Sequence, residues 1–138
     1  MIAYLPPIMV MSLTVWGEAR GESRLGQKAV AWVIRNRADN PRWWGNDITD
    51  VCLKKYQFSC WNHNDPNYPR LTNEATRVRP DFKAVYVVCK AVLESQSADD
   101  DPTNGANHYC TRSIASKTTW THGQVPVAEI GTHLFYRL

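Results

Sequence analysis

The chain has 138 residues, 43% hydrophobic and 21% charged, which suits one globular domain with a hydrophobic core and leaves little room for a second. A net charge of +3 is too small to argue for nucleic-acid binding, though it favours approach to an anionic polymer such as a bacterial wall. Six tryptophans and six tyrosines hint at carbohydrate, because aromatic faces stack on sugar rings as readily as they fill cores.

The first predicted helix opens at Pro6-Pro7, where a first-turn proline gives up only an amide that has no intrahelical partner. Ile8, Met11 and Val15 follow at i, i+3 and i+7, the spacing of one buried stripe. Glu18 continues that stripe at i+10, and Gly21 predicts a left-handed stop just beyond it. Residues 8–16 lack a basic leader and an Ala-x-Ala-like cleavage site and are too short to span a bilayer. They read as a buried helix rather than a signal peptide or membrane span. A carboxyl at the end of such a helix meets apolar neighbours and the negative pole of the helix, and both raise its pKa. That is the condition a general acid needs near neutral pH. The competing readings are a surface glutamate on a frayed last turn, or a glutamate paired with Arg20 or Arg24.

A second helix is predicted from about Ser23, with Val30, Val33, Ile34 and Arg37 along one side, ending at Asn40-Pro41. Trp43-Trp44-Gly45-Asn46 reads as loop, and a short helix starts near Asp47 with Ile48, Val51 and Cys52 inward. Residues 62–79 read mostly as loop, with a helical turn around residues 73–77. The clearest helix opens at Pro80-Asp81, with Phe82, Val85, Cys89, Val92 and Leu93 on one face. Short extended pieces are predicted around residues 107–110 and 132–136. The expected architecture is one mainly α (α+β) domain over residues 1–138 with a small β element near its end.

The four cysteines, Cys52, Cys60, Cys89 and Cys110, allow three pairings and favour at least one bridge in a small protein acting outside the cytoplasm. Cys89, on an apolar helix face, equally suits a free thiol. Cys60, His63, His108 and Cys110 are zinc-binding residue types, but their spacing matches no closed site, so no metal and no cofactor are expected. Asp99-Asp100-Asp101 reads as a solvated loop, since calcium-loop spacing is absent. Trp61, Trp120 and the Trp43-Trp44 pair are open between sugar platforms and packing residues.

Taken together in chain order, several segments resemble the SleB-type cell-wall hydrolases, a family that includes spore-cortex-lytic enzymes and related phage lysins. They are Trp16-Gly17-Glu18-Ala19-Arg20-Gly21-Glu22, then Gly26-Gln27-Lys28-Ala29-Val30-Ala31 with Asn36-Arg37, then Gln57-Phe58-Ser59-Cys60-Trp61. Asp101-Pro102-Thr103 with Gly105-Ala106 and Ile130-Gly131-Thr132-His133-Leu134-Phe135-Tyr136 complete the set. The resemblance implies a lysozyme-like, mainly helical fold related to the lytic transglycosylases, and cleavage of peptidoglycan between N-acetylmuramic acid and N-acetylglucosamine. It maps the family's catalytic glutamate onto Glu18 and its second acidic position onto Glu22, expected to orient a loop through hydrogen bonds. Gln57, Ser59, Trp61, Tyr109 and His133 are candidate substrate-binding or supporting residues. The separate wall-binding domain and secretion signal of the spore members have no counterpart in the sequence. The expectation is therefore a monomeric phage or prophage lysin, made in the host cytoplasm and acting on bacterial peptidoglycan.

A lysozyme working by double displacement needs a second carboxylate about 5–5.5 Å from the acid, and an inverting one about 6.5–9.5 Å away. No other acidic residue sits in a comparable apolar motif, which favours a single-glutamate mechanism with a 1,6-anhydro product. Attack by water would instead make the enzyme a muramidase. The alternatives are a zinc-dependent N-acetylmuramoyl-L-alanine amidase and a peptidoglycan-binding module without catalysis.

Overall fold

A computed structural model describes residues 2–138. At its centre lies α1, Pro7–Ala19, with Pro7 in the first turn. Every side chain from Val10 to Trp16 is buried, including Ser12 and Thr14, whose hydroxyls donate back to the carbonyls of Ile8 (2.7 Å) and Val10 (2.8 Å). The single stripe expected from Ile8, Met11 and Val15 is therefore too narrow. Ile8 is only half-buried, while a helix apolar on all sides is one enclosed on all sides. Its neighbours are α2 (Arg24–Asp39), α3 (Ile48–Leu53) and α5 (Pro80–Glu94). Burial of each large side chain here, such as Trp16, Met11 or Leu13, contributes roughly 1.5–3 kcal/mol.

The end of α1 also differs from expectation. Gly21 is not left-handed, and the cap residue Arg20 keeps helical geometry, its N–H bonded to the Trp16 carbonyl. The stop is made by a side chain from the next helix. Gln27 is buried, and its amide Nε2 donates to the carbonyls of Ala19, Arg20 and Glu22 at 3.3–3.4 Å. Its Oε1 accepts from Arg24 at 2.8 Å. Carbonyls at and just beyond the helix end thus find a donor without a glycine cap.

Helix α2 starts where the sequence places it, with the Ser23 hydroxyl accepting from the Gly26 N–H at 3.1 Å, and it ends at Asn40 before Pro41. Helix α3 is capped by Asp47, which accepts from the Asp50 N–H at 2.8 Å. Between α3 and α5 run a 3₁₀ turn at Ser59–Trp61, the short α4 (Tyr68–Leu71) and a 3₁₀ stretch at Glu74–Val78. Only the last of these was expected. No described helix is long and apolar enough to cross a membrane.

The sheet has three antiparallel strands rather than two. β1 (His108–Thr111) pairs with β3 (His133–Tyr136), which pairs with β2 (Ala128–Ile130), in the order β1-β3-β2. Tyr109 sits opposite Phe135 and Thr111 opposite His133. A four-residue helix, α6 (Arg112–Ala115), leaves β1 directly. Phe135 packs with Ala29 and Val33 of α2 in a small second core. Asp101 corrects the solvated-loop reading: it is buried and accepts from Thr103 N (2.8 Å), Thr103 Oγ1 (2.6 Å), Gly105 N (3.0 Å) and Asn36 Nδ2 (2.9 Å). It ties the segment entering β1 to α2.

The expected disulfide is not formed. All four cysteines are buried free thiols, and Cys52, Cys60 and Cys89 fill the main core as small apolar side chains. Burial pushes the Cys52 and Cys89 thiols up to about 12.

The Gln27 cap is open to a direct check. Gln27→Leu keeps the volume but takes the side-chain donor from the Arg20 and Glu22 carbonyls, leaving Ala19 only the Glu22 N–H, and should cost about 1–3 kcal/mol in denaturant unfolding. An unchanged midpoint would show that the cap contributes nothing.

Candidate active site

Glu18 lies in the last turn of α1, and its two oxygens meet donors from two distant segments. Oε2 accepts from the Cys60 N–H at 3.2 Å, and Oε1 accepts from the Tyr109 hydroxyl at 3.1 Å. One carboxyl thus joins α1, the Ser59–Trp61 turn and β1. Gly17 makes the first contact possible: a Cβ there would stand 2.8 Å from Cys60 Cβ and 2.9 Å from its Sγ. Neither Arg20 nor Arg24 pairs with Glu18. Arg20 donates to Asn67 Oδ1 (2.8 Å) and lies over the Trp16 ring, while Arg24 holds Gln27.

Burial raises the Glu18 pKa above its ordinary value of 4.5. The bonds from Cys60 and Tyr109 pull the other way, and Asp65 adds a weaker upward push. Desolvation is the largest of these effects, so the neutral acid is favoured relative to an exposed glutamate. Burial and the adjacent Glu18 charge hold the Tyr109 phenol well above its ordinary range, so it stays a donor.

Glu18 opens onto a cleft of about 470 Å³. The sequence candidates Gln57, Ser59, Tyr109 and His133 all line it. Trp61 does not. Its indole N–H donates to Thr14 Oγ1 at 2.9 Å, and it borders a separate cavity with Tyr56 and His63. Glu22 also stands outside the cleft lining. It accepts from Thr132 N (3.4 Å) and Oγ1 (3.2 Å), and lies 3.6 Å from His133 Nδ1. These contacts reach the turn joining β2 to β3, where Gly131 has φ +58° and any Cβ would meet Glu22 Oε1 at 2.7 Å. Burial, with help from Arg112, lowers the His133 pKa against the opposing pull of Glu22.

Arg37 and His108, not expected there, also line the cleft, as does Trp120, one of the tryptophans open between sugar platform and packing residue. Arg37 had a signal, since it falls on the inward side of α2 with Val30 and Val33. It is buried, donating from Nε to the Asn107 carbonyl (2.7 Å) and from Nη1 to Gln57 Oε1 (3.4 Å). Burial lowers its pKa to about 10, which leaves it charged at neutral pH. His108 is lowered to about 4 by burial and by Arg37 and Arg42, so it is neutral there. Among the described residues Glu18 is the one carboxylate lining the cleft, and no three of His, Cys, Asp and Glu cluster as metal ligands would.

The family model described as Cell Wall Hydrolase matches residues 21–136, a span that begins just after Glu18. The chain is 30% identical over 128 residues to the spore cortex-lytic enzyme of Halalkalibacterium halodurans, covering 93% of this chain and 34% of that protein. It is also 30% identical to the spore cortex-lytic enzyme of Bacillus subtilis strain 168, covering 93% and 36%. It therefore spans about a third of the length of these relatives. Two solved structures resemble it over 95% of its length. The catalytic domain of the germination-specific lytic transglycosylase SleB from Bacillus anthracis matches at a TM-score of 0.71 and 27% identity, over 93% of that chain. The catalytic domain of the Bacillus cereus SleB protein matches at 0.67 and 28%, over 89% of that chain. The lysozyme-like, mainly α fold expected from the sequence is the fold shared with these domains.

A raised carboxyl pKa has a signature in stability. Between the unfolded pKa and the higher folded one, the native state binds more protons, so stability falls as pH rises through that window. Glu18→Gln removes this loss. The variant should be more stable than the parent at pH 7, with the gain shrinking as pH falls towards about 4. A gain independent of pH, or a loss at pH 7, would contradict burial as the dominant effect.

Proposed function

The chain belongs to the cell wall hydrolase family, and from that premise we propose that it cuts peptidoglycan glycan strands between N-acetylmuramic acid and N-acetylglucosamine with Glu18 as its acid. The observation that carries this reading is the lone cleft carboxyl, raised in pKa by burial and fixed by the Cys60 N–H and the Tyr109 hydroxyl. The Bacillus anthracis relative is named a lytic transglycosylase, and a single glutamate suffices for that reaction. Protonated Glu18 gives its proton to the glycosidic oxygen as the bond to muramic acid C1 breaks. The muramic N-acetyl group stabilises the developing positive charge. Glu18, now a carboxylate, takes the proton of the muramic 6-hydroxyl as that oxygen bonds to C1, closing a 1,6-anhydro ring and restoring the acid.

Tyr109 and Cys60 hold the carboxyl in place through both proton transfers, and each stabilises the carboxylate more than the acid. Arg37 holds Gln57 in the cleft lining. Glu22 braces the β2–β3 turn and, through it, His133. Its role in this reading is support rather than proton transfer.

Mass spectrometry of fragments released from purified peptidoglycan tests the proposal. The expected products end in 1,6-anhydro-muramic acid, one water lighter than hydrolysed ends, and Glu18→Gln should lower their release at least about 100-fold. Reducing-end muramic acid would replace the 6-hydroxyl by water as acceptor. Freed stem peptides on intact glycan would overturn the glycosidic reading. Tyr109→Phe removes a donor that lowers the Glu18 pKa, so the alkaline limb of its pH–activity profile should move to higher pH. A shift to lower pH would contradict the role given to Tyr109.

A further inference from the structure

We propose that Trp43, His108 and Trp120 form a saccharide shelf that extends the Glu18 cleft and takes an N-acetylhexosamine unit away from the bond being cut. The inference rests on the glycan-strand reading of the cleft and names a contact beyond it. Trp43 is 54% exposed, while its neighbour Trp44 is fully buried. A lone exposed tryptophan is ordinary, but this one is held. The Arg42–Gly45 bridge closes the turn that carries it, and Gly45 has φ +129°. Trp44 anchors the same turn, its indole N–H donating to the Arg37 carbonyl at 3.0 Å and its ring meeting Trp43 edge-on at 5.4 Å. The turn thus holds the backbone that presents the indole to solvent, which lowers the entropy a ligand must spend on ordering it.

The run of rings is continuous with the cleft. Trp43 lies 6.4 Å from His108, and His108 lies 5.2 Å from Trp120. Both His108 and Trp120 line the cleft with Glu18. β1 is an edge strand, and all four of its residues border the cleft although successive side chains alternate in direction. His108 follows Asn107 and precedes Tyr109, the partner of Glu18, placing the shelf one strand residue along from the acid.

The shelf also carries a defined acceptor. Asn107 pairs with the main chain of Leu138, donating from Nδ2 to its carbonyl and accepting its N–H at Oδ1, both at 3.0 Å. The atom 2.7 Å from His108 Nδ1 is therefore an oxygen acceptor, so Nδ1 carries the proton. The neutral ring then keeps a lone pair on Nε2. An apolar ring face beside a hydrogen-bond acceptor suits a pyranose whose C–H face stacks while its hydroxyl or acetamido N–H donates.

Calorimetric titration with the hexamer of N-acetylglucosamine tests the shelf in a Glu18→Gln background, where nothing turns over. Trp43→Ala should weaken hexamer binding about tenfold, and Trp43→Tyr should recover most of the loss. Trp43 is too exposed for the change to threaten the fold, and an unchanged melting temperature verifies this. Unchanged affinity in Trp43→Ala, or a Tyr variant as weak as the Ala variant, would overturn the shelf. The readout is binding alone, so it stands apart from the fragment analysis: activity surviving in Glu18→Gln would remove the acid assignment without altering this result.

Discussion

One partly buried carboxyl held between two donors from remote parts of the chain is the constraint on which the rest depends. Cys60 and Tyr109 stand 42 and 91 residues from Glu18 in sequence, and both must arrive with hydrogen-bond geometry. Burial pushes the group towards its neutral form, and the two donors restrain that push. A carboxyl in this balance can give up a proton and take one back. Full burial without donors would lock it neutral, and full exposure would leave it ionised.

Much of the fold reads as the means of bringing those donors in. The missing side chain at Gly17 lets the Ser59–Trp61 turn press against α1, and Gln27 ends α1 one residue beyond Glu18 without an extra cap. On the far side, β1 hangs from α2. Asn36 donates to the Ala106 carbonyl at 2.9 Å, Arg37 to the Asn107 carbonyl at 2.7 Å, and Asp101 gathers four donors where the chain enters. Tyr109 is thereby placed by polar contacts, while α1, α3 and α5 are placed by apolar packing. An unpaired partner in that polar set would cost more than a typical surface contact, because these groups are shielded from water.

The helices were legible where periodicity and caps agree: Ser23 and Asp47 cap where the pattern begins, and Pro80 opens a clean apolar face. Glu18 was legible as a carboxyl out of place, and Gln57, Ser59, Tyr109 and His133 were the cleft candidates around it. Elements of three or four residues, such as α4, α6 and β2, are too short to show a period. The end of α1 misled because the donor that stops it lies in the next helix, a tertiary contact that local glycine logic does not see. Trp61 was open between sugar platform and packing residue, and its indole N–H bonds the buried Thr14 hydroxyl. The cysteines invited a bridge by their even number, but three of them fill the main core in place of small aliphatic residues. Arg37 was placed on the inward face from the sequence, yet its link to Gln57, 20 residues on, needed the fold.

The most direct test of the account is the pKa of the Glu18 carboxyl itself, followed by carbon-detected NMR titration of the folded protein. The account predicts a value above the ordinary 4.5, so that a larger fraction of the group is protonated at a given pH than in an exposed glutamate. A value at or below 4.5 would mean that the Cys60 and Tyr109 bonds outweigh burial. Glu18 would then be a stabilised carboxylate rather than the acid of the cleft.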